Sequence, residues 1–409
     1  LESIIFDSAH FLLRWLHIIT AIAWIGASFY FIWLDNSLED PVDIKAQQGV
    51  SGDLWAFHGG GIYEVNKYRL SPPSMPSTLH WFKWEAYSTW ITGALLLILF
   101  YYCQAELYLV GKQDWSNTPF KAICTSLVFL LSGFLLYELL VRFVSRKHPG
   151  IFLLVFIACV ILLTWFASIS FSGRAAYLHI GAMLATIMAA NVLLGIMPAQ
   201  RSFIRAIEQQ QSPNADRMAF AKTRSVHNNY LTLPVLLCMV SNHYPLFFGS
   251  EHGWWILCVM MLAAAYARHF FNLRHKGIVR PKILVVALTV FVAIIIFLVN
   301  QQPKPAKRQT PPASQTAATP DETMSLASND QAALLNLTAL HCQSCHSASP
   351  TSPAFPAPPL GLTLDTVTEL SQAKAKIITA VSTSYMPLGN MTHMSEADRQ
   401  EFIRLMQTL

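Results

Sequence analysis

The sequence predicts an all-α protein: a polytopic bundle of eight transmembrane helices, followed by a small helical domain on a tether. Three observations predict it. Of the 409 residues, 53% are hydrophobic and only 12% charged, against about 25% charged in a soluble chain. The mean hydropathy is +0.39. The apolar residues are unevenly spread, because 1–300 carry the long apolar runs and 301–409 almost none. Finally, cation-rich loops alternate with loops nearly free of cations. This composition excludes a disordered chain, a nucleic-acid-binding protein and an ordinary soluble enzyme.

A helix needs about 20 mostly apolar residues to cross the hydrocarbon core. Eight stretches qualify: 10–33, 81–102, 119–143, 151–172, 175–197, 230–248, 254–273 and 281–300. They read as helices, since short alternating segments do not recur as in a barrel. No secretory leader is read ahead of the first span. The third loop holds Arg142, Arg146 and Lys147. The fifth holds Arg201, Arg205, Arg217, Lys222 and Arg224. The seventh holds Arg268, Arg274, Lys276, Arg280 and Lys282. The alternate loops offer only Lys112 and Arg174. Cytoplasmic loops carry the cationic excess, so the odd loops face the cytoplasm and both termini lie outside. The net charge of +5 is mainly this inside bias.

Residues 301–327 are rich in Pro, Gln, Thr and Ala and poor in large apolar residues. Such a stretch cannot pack a core and reads as a flexible linker. Residues 328–409 form the small domain. Asn329–His341 reads as a helix running into Cys342-Gln343-Ser344-Cys345-His346. C-x-x-C-H is the attachment pattern of c-type haem. Two thiols add to the two vinyl groups on one haem edge, and the next histidine reaches the iron. A bare C-x-x-C would equally suit a redox dithiol or half a zinc site. The adjacent histidine, the lack of a second cysteine pair and the external location favour haem c. Met386, followed by Pro387, is the expected second axial ligand beside His346, with Met391 and Met394 as alternatives. His/Met ligation raises the reduction potential. Ser395–Leu409 reads as a closing helix, with Ser395 as N-cap and Asp398 in the capping-box position. Together these elements describe a class-I-like cytochrome c domain. Haem c is attached outside the bacterial cytoplasmic membrane, in agreement with the loop charges. The other cysteines (Cys103, Cys124, Cys159, Cys238 and Cys258) read as buried hydrophobes.

Ionisable residues inside spans are costly and mark functional sites by default. Arg14 and His17 share a face of the first span. His80 and Glu85 open the second span, and Glu138 lies in the third. His227-Asn228-Asn229 begin the sixth, and Arg268 and His269 close the seventh. By depth, His10, His17, His179 and His243 lie toward the outside, and His80, His227 and His269, with His58 and His275 as further candidates, toward the inside. The inner group could line a polar substrate pocket. The outer group, His17, His179 and His243 above all, could ligate a haem b. The bland alternative is snorkelling or a satisfied helix end. The many tryptophans (Trp15, Trp24, Trp33, Trp81, Trp84, Trp90, Trp165, Trp254 and Trp255) suit an interfacial belt or core, and one could stack on a planar substrate.

Four stretches are longer and more specific: 14–38 (RWLHIITAIAWIGASFYFIWLDNSL), 53–68 (DLWAFHGGGIYEVNKY), 79–93 (LHWFKWEAYSTWITG) and 227–249 (HNNYLTLPVLLCMVSNHYPLFFG). With CQSCH and 386–399 they resemble the bacterial membrane-bound urate oxidases. The resemblance implies eight membrane helices, a C-terminal cytochrome c domain and location in the inner membrane. It implies oxidation of urate to 5-hydroxyisourate with water as oxygen source and without hydrogen peroxide. Electrons would leave through haem c to a periplasmic cytochrome or terminal oxidase. Arg14, His17, His80, Glu85, His227 and Asn228 fall inside the matching stretches and are the candidate catalytic residues. The competing readings are a quinol-oxidising cytochrome and a non-catalytic electron relay.

Overall fold

The computed structural model describes residues 2–111, 113–248, 250, 252–301, 325–352, 358–382, 386–387 and 392–409. The chain opens with α1 (Glu2–Ser37), a single helix longer than the expected first span. A short helix, α2 (Asp43–Gln47), leads into two strands, β1 (Val50–His58) and β2 (Gly61–Tyr68). The strands pair antiparallel, with His58 opposite Gly61 and Val50 opposite Tyr68. This hairpin corrects the all-α expectation. Its turn is Gly59-Gly60, both at positive φ (57° and 83°), as a two-residue turn between twisted strands requires. Its base is tied down by ion pairs of Lys45 with Asp53 and Glu64, and of Lys67 with Asp35 on α1.

α3 (Trp84–Leu96) packs on α1 and widens into a π-helical stretch, Leu97–Tyr102, before the short α4 (Ala105–Tyr108). α5 (Pro119–Phe143) and α6 (Pro149–Ser170) both start with proline in the first turn, where the missing N–H costs nothing. α7 (Gly173–Ala190) is central: it packs on α3, α5, α6 and α9. It continues through a second π-helical stretch, Asn191–Ile196, into α8 (Met197–Glu208). α9 (Ala215–Val240), α10 (Pro245–Phe248), α11 (Gly253–Arg274) and α12 (Lys282–Asn300) complete this part.

Among the described residues, six helical runs are long and apolar enough to cross a membrane: Ser8–Ser37, Pro119–Phe143, Pro149–Ser170, Gly173–Glu208, Gly253–Arg274 and Lys282–Asn300. The other two expected spans are largely helical but less regular. The 81–102 stretch begins its helix only at Trp84 and changes from α to π partway. In the 230–248 stretch, α9 starts fifteen residues early, so Asp216, Arg217, Lys222 and Arg224 ride on the helix rather than in a loop, and its α path stops at Val240. The cysteines divide: Cys238 and Cys258 are buried, Cys159 is half-buried, and Cys103 and Cys124 are exposed.

The C-terminal part has its own core. α13 (Ser325–His341), α14 (Val367–Gln372), α15 (Lys374–Ser382) and α16 (Glu396–Thr408) enclose Leu334, Leu370, Ile377, Phe402, Leu405 and Met406. α16 carries the expected capping box of Ser395 and Asp398. A second capping box, Thr366 with Glu369, opens α14. Met391, and 353–357 of the proline-rich stretch, lie outside the described residues.

Candidate functional site

The polar residues on α9 point in two directions. Arg224, His227 and Asn228 are three and four apart, so they share one face. Arg224 is buried and reaches Glu138 on α5 through two nitrogens, each 2.8 Å from a carboxylate oxygen. Arg142 also reaches Glu138, at 2.5 Å. Arg224 donates to the Asn191 oxygen at 2.9 Å. Asn191 Nδ2 then donates to the Tyr137 hydroxyl at 2.9 Å and to the Asn228 oxygen at 2.8 Å. Tyr137 lies 2.9 Å from Nδ1 of His227, whose ring stacks on Phe152 at 4.6 Å. The π-helical stretch puts Asn191 into this network. A Cβ on Gly195 would sit 2.3 Å from the Arg224 side chain, so only glycine lets the guanidinium pass.

The other face of α9 meets α11. Arg268 Nε donates to the Asn229 oxygen at 2.6 Å, and Asn229 Nδ2 donates to the Asn272 oxygen at 2.9 Å. Pro234 has no N–H for the carbonyl of Tyr230, one turn earlier.

Asn228, Asn229 and Asn272 all line a cavity of about 700 Å³ between α1, residues 79–82, α7–α8, α9 and the end of α11. Aromatic rings form part of its wall: Trp24, Phe31, Trp81, Phe82 and Tyr230. Lys222, Lys276, Asp35 and His80 are its charged or titratable neighbours. The cavity therefore offers flat apolar faces, amide donors and acceptors, and cations. That set suits a planar, hydrogen-bonding anion.

The sequence-predicted residues are brought together only in part. His80 and Asn228 line the cavity. Glu85 lies 3.7 Å from His80, and its second oxygen is buried without a partner among the described residues. His227 stands one layer behind. Arg14 and His17 do not line it, although Trp24 from the same helix does. Arg14 is exposed and contacts His10 at 3.1 Å. His17 is held by the Thr89 carbonyl and the Thr92 hydroxyl, each 3.1 Å from Nδ1.

The outer histidines differ in what they could offer iron. His179 is fully buried, with Nε2 2.7 Å from the Ser126 hydroxyl and Nδ1 2.7 Å from the Ala175 carbonyl. Both ring nitrogens are engaged, which does not fit a haem ligand. His243 is exposed. For half-buried His17, the hydrogen bonds to Thr89 and Thr92 both fall on Nδ1, a single ring nitrogen. Among those residues, no group of three or more His, Cys, Asp or Glu side chains is placed to hold a metal ion. Sequence reasoning missed Tyr137 and Asn272. The spacing of Asn272 four residues after Arg268, at the cationic end of an apolar run, was the available signal.

In the C-terminal part, Cys342, Cys345 and His346 follow α13 in one turn, with His346 N donating to the Cys342 carbonyl at 2.8 Å. His346 Nδ1 donates to the Leu362 carbonyl at 3.1 Å. That bond fixes the tautomer and leaves the Nε2 lone pair available for a metal. Burial holds the imidazole below its ordinary pKa, against the opposing effect of the Leu362 bond. Burial thus favours the neutral form, the one a metal could use. Met386 is half-buried, and its backbone is anchored by Ala380 and by Arg399, which donates to its carbonyl at 2.8 Å. Met394 is instead packed into the core.

Fold and cavity define the class: a predominantly helical protein with several membrane-length apolar helices and an aromatic, amide-lined polar cavity at one end of them. Within that class, the chain belongs to the Urate oxidase N-terminal family, which matches residues 3–299. Membership points to a urate-related function and to an oxidoreductase. No curated protein and no solved structure matches the chain.

Proposed function

We propose that this protein is a multi-pass inner-membrane urate oxidase that delivers electrons to haem c held by its own C-terminal domain. The observation that carries the reading is the cavity: aromatic walls, four asparagines (Asn36, Asn228, Asn229 and Asn272) and a cationic rim, inside the region matched by the urate oxidase family. Urate is a planar monoanion at neutral pH. Loss of two electrons and one proton gives an electrophilic purine. Water then forms a C–O bond at C5, giving 5-hydroxyisourate, and no hydrogen peroxide is made. Trp24 and Trp81 flank the purine plane and exclude bulk water. The asparagines fix its edge. The His80–Glu85 pair is the candidate proton acceptor.

Cys342, Cys345 and His346 fit a covalently held haem, with Met386 as the second axial ligand. Bound there, haem c would accept electrons one at a time and pass them to a periplasmic cytochrome or terminal oxidase. All eight expected spans enter this reading, with both termini outside. The cavity lies among the loops richest in cations, so it opens toward the cytoplasm. The bilayer core between the two sites is about 30 Å thick. A haem b between them has only His17 in its favour, since His179 is already satisfied.

Anaerobic addition of urate to the purified holoprotein tests the proposal. Reduction of the haem c α-band is the expected result. A spectrum unchanged by urate but reduced by quinol would replace it with a quinol-oxidising cytochrome. A pyridine haemochrome spectrum of active protein counts the haems, and haem c alone removes haem b.

A further inference from the structure

The two buried arginines of this region are not equivalent. Arg224, 1% exposed, is neutralised by Glu138 at 2.8 Å. Arg268, 3% exposed, has no carboxylate within 4.0 Å among the described residues. Its guanidinium lies 3.7 Å from the centre of the Phe29 ring. Nε is bonded to Asn229, and Nη2 has no partner among the described residues. A buried charge without a counter-ion is expensive. Neither the Phe29 ring nor one amide supplies the missing negative charge.

The bond from Arg268 also dictates what Asn229 shows to the cavity. The Asn229 oxygen is taken by Arg268, and one amide hydrogen goes to Asn272. What remains is an N–H donor with a fixed positive charge behind it. Lys222 at the cavity rim is opposed by Asp35, 3.8 Å away. Lys276 is the other cation at the cavity, and the fixed positive charge directly behind Asn229 is that of Arg268.

We propose that Arg268, acting through Asn229, is the anion anchor of this cavity, so that the bound purine supplies the counter-charge the protein withholds. The inference rests on the urate reading and deepens it: it makes the deprotonated edge of the substrate the feature recognised. Arg268 is a positioning residue, and Asn229 is the group that meets the ligand. A smaller neutral purine such as hypoxanthine gains the aromatic contacts but not this one.

The test compares binding of urate and of neutral hypoxanthine to the full-length holoprotein, kept reduced with dithionite so that no turnover occurs. Asn229→Asp places a carboxylate against Arg268 and should fold at least as well as the parent. It is expected to weaken urate binding on the order of 100-fold while hypoxanthine changes less than about threefold. Arg268→Gln should weaken urate similarly, and Arg268→Lys, which keeps the charge but loses the fork, by roughly tenfold. Equal losses for both purines would mean that the pair only packs the wall, and would overturn the proposal. So would unchanged urate binding by Asn229→Asp. Failure of the parent protein to bind urate would instead overturn the urate reading itself.

Discussion

The membrane-length helices and the C-terminal part carry their chemistry in opposite ways. In the C-terminal part the decisive residues are neighbours in sequence: Cys342, Cys345 and His346 share one turn, and the capping boxes span three residues. In the helical region the decisive pairs are far apart. Glu138 meets Arg224 across 86 residues, and Asn229 meets Arg268 across 39. The polar region writes function as a local motif. The apolar region writes it as a few polar side chains that must find one another in a setting where each lone polar group is costly.

The largest expected effect tests the local half of that contrast. His346→Ala removes the one imidazole whose Nδ1 is fixed by Leu362. Urate-dependent reduction of an added acceptor should fall by at least about 100-fold, measured against haem content. Acceptor reduction at the parental rate would mean that electrons leave without this residue.

The next tests the distributed half. Glu138→Gln leaves Arg224 buried with its main counter-charge gone, and breaking such a pair costs about 3–5 kcal/mol. The variant should melt well below the parent in detergent, with its C-terminal haem spectrum unchanged. An unshifted melting temperature would show that Asn191 alone suffices for Arg224. Trp81→Ala should act on binding rather than on stability. Loss of one aromatic wall should raise KM for urate by roughly tenfold, with a smaller change in kcat. A fall in kcat at constant KM would place Trp81 outside the ground-state contact.

This contrast also explains what the sequence made legible. The apolar runs gave the helices because periodicity and length are local properties, and C-x-x-C-H gave the candidate haem site for the same reason. His80 and Asn228 were legible as polar residues at span ends, and both reach the cavity. The Arg14–His17 pairing was not, because sharing a helix face does not fix which neighbour each side chain meets: Arg14 turns to His10 and His17 to α3. His179 looked like a ligand only while Ser126, 53 residues away, was unknown as its partner. The hairpin was missed although Gly59-Gly60 between alternating residues marks such a turn.

The smallest expected effect concerns acid. In the C-terminal part, the Thr363 hydroxyl first, then Thr366, hold the Glu369 carboxyl below the usual carboxylate range. The Ser395 hydroxyl and backbone N–H do the same for Asp398. A carboxylate whose folded pKa is depressed contributes stability that is present above its unfolded value and lost as pH falls through the folded one. The unfolded values lie near about 4. The C-terminal part should therefore lose a little stability below about pH 4, through the helix starts of α14 and α16. Both groups face solvent, so screening keeps the effect small. Thermal melts of the full-length holoprotein, followed at the haem Soret band, read it out. Glu369→Gln with Asp398→Asn should flatten the dependence and lower the melting temperature at neutral pH. If the double variant keeps the parental pH slope, acid acts elsewhere, and the local capping motifs do not set the tail's acid response.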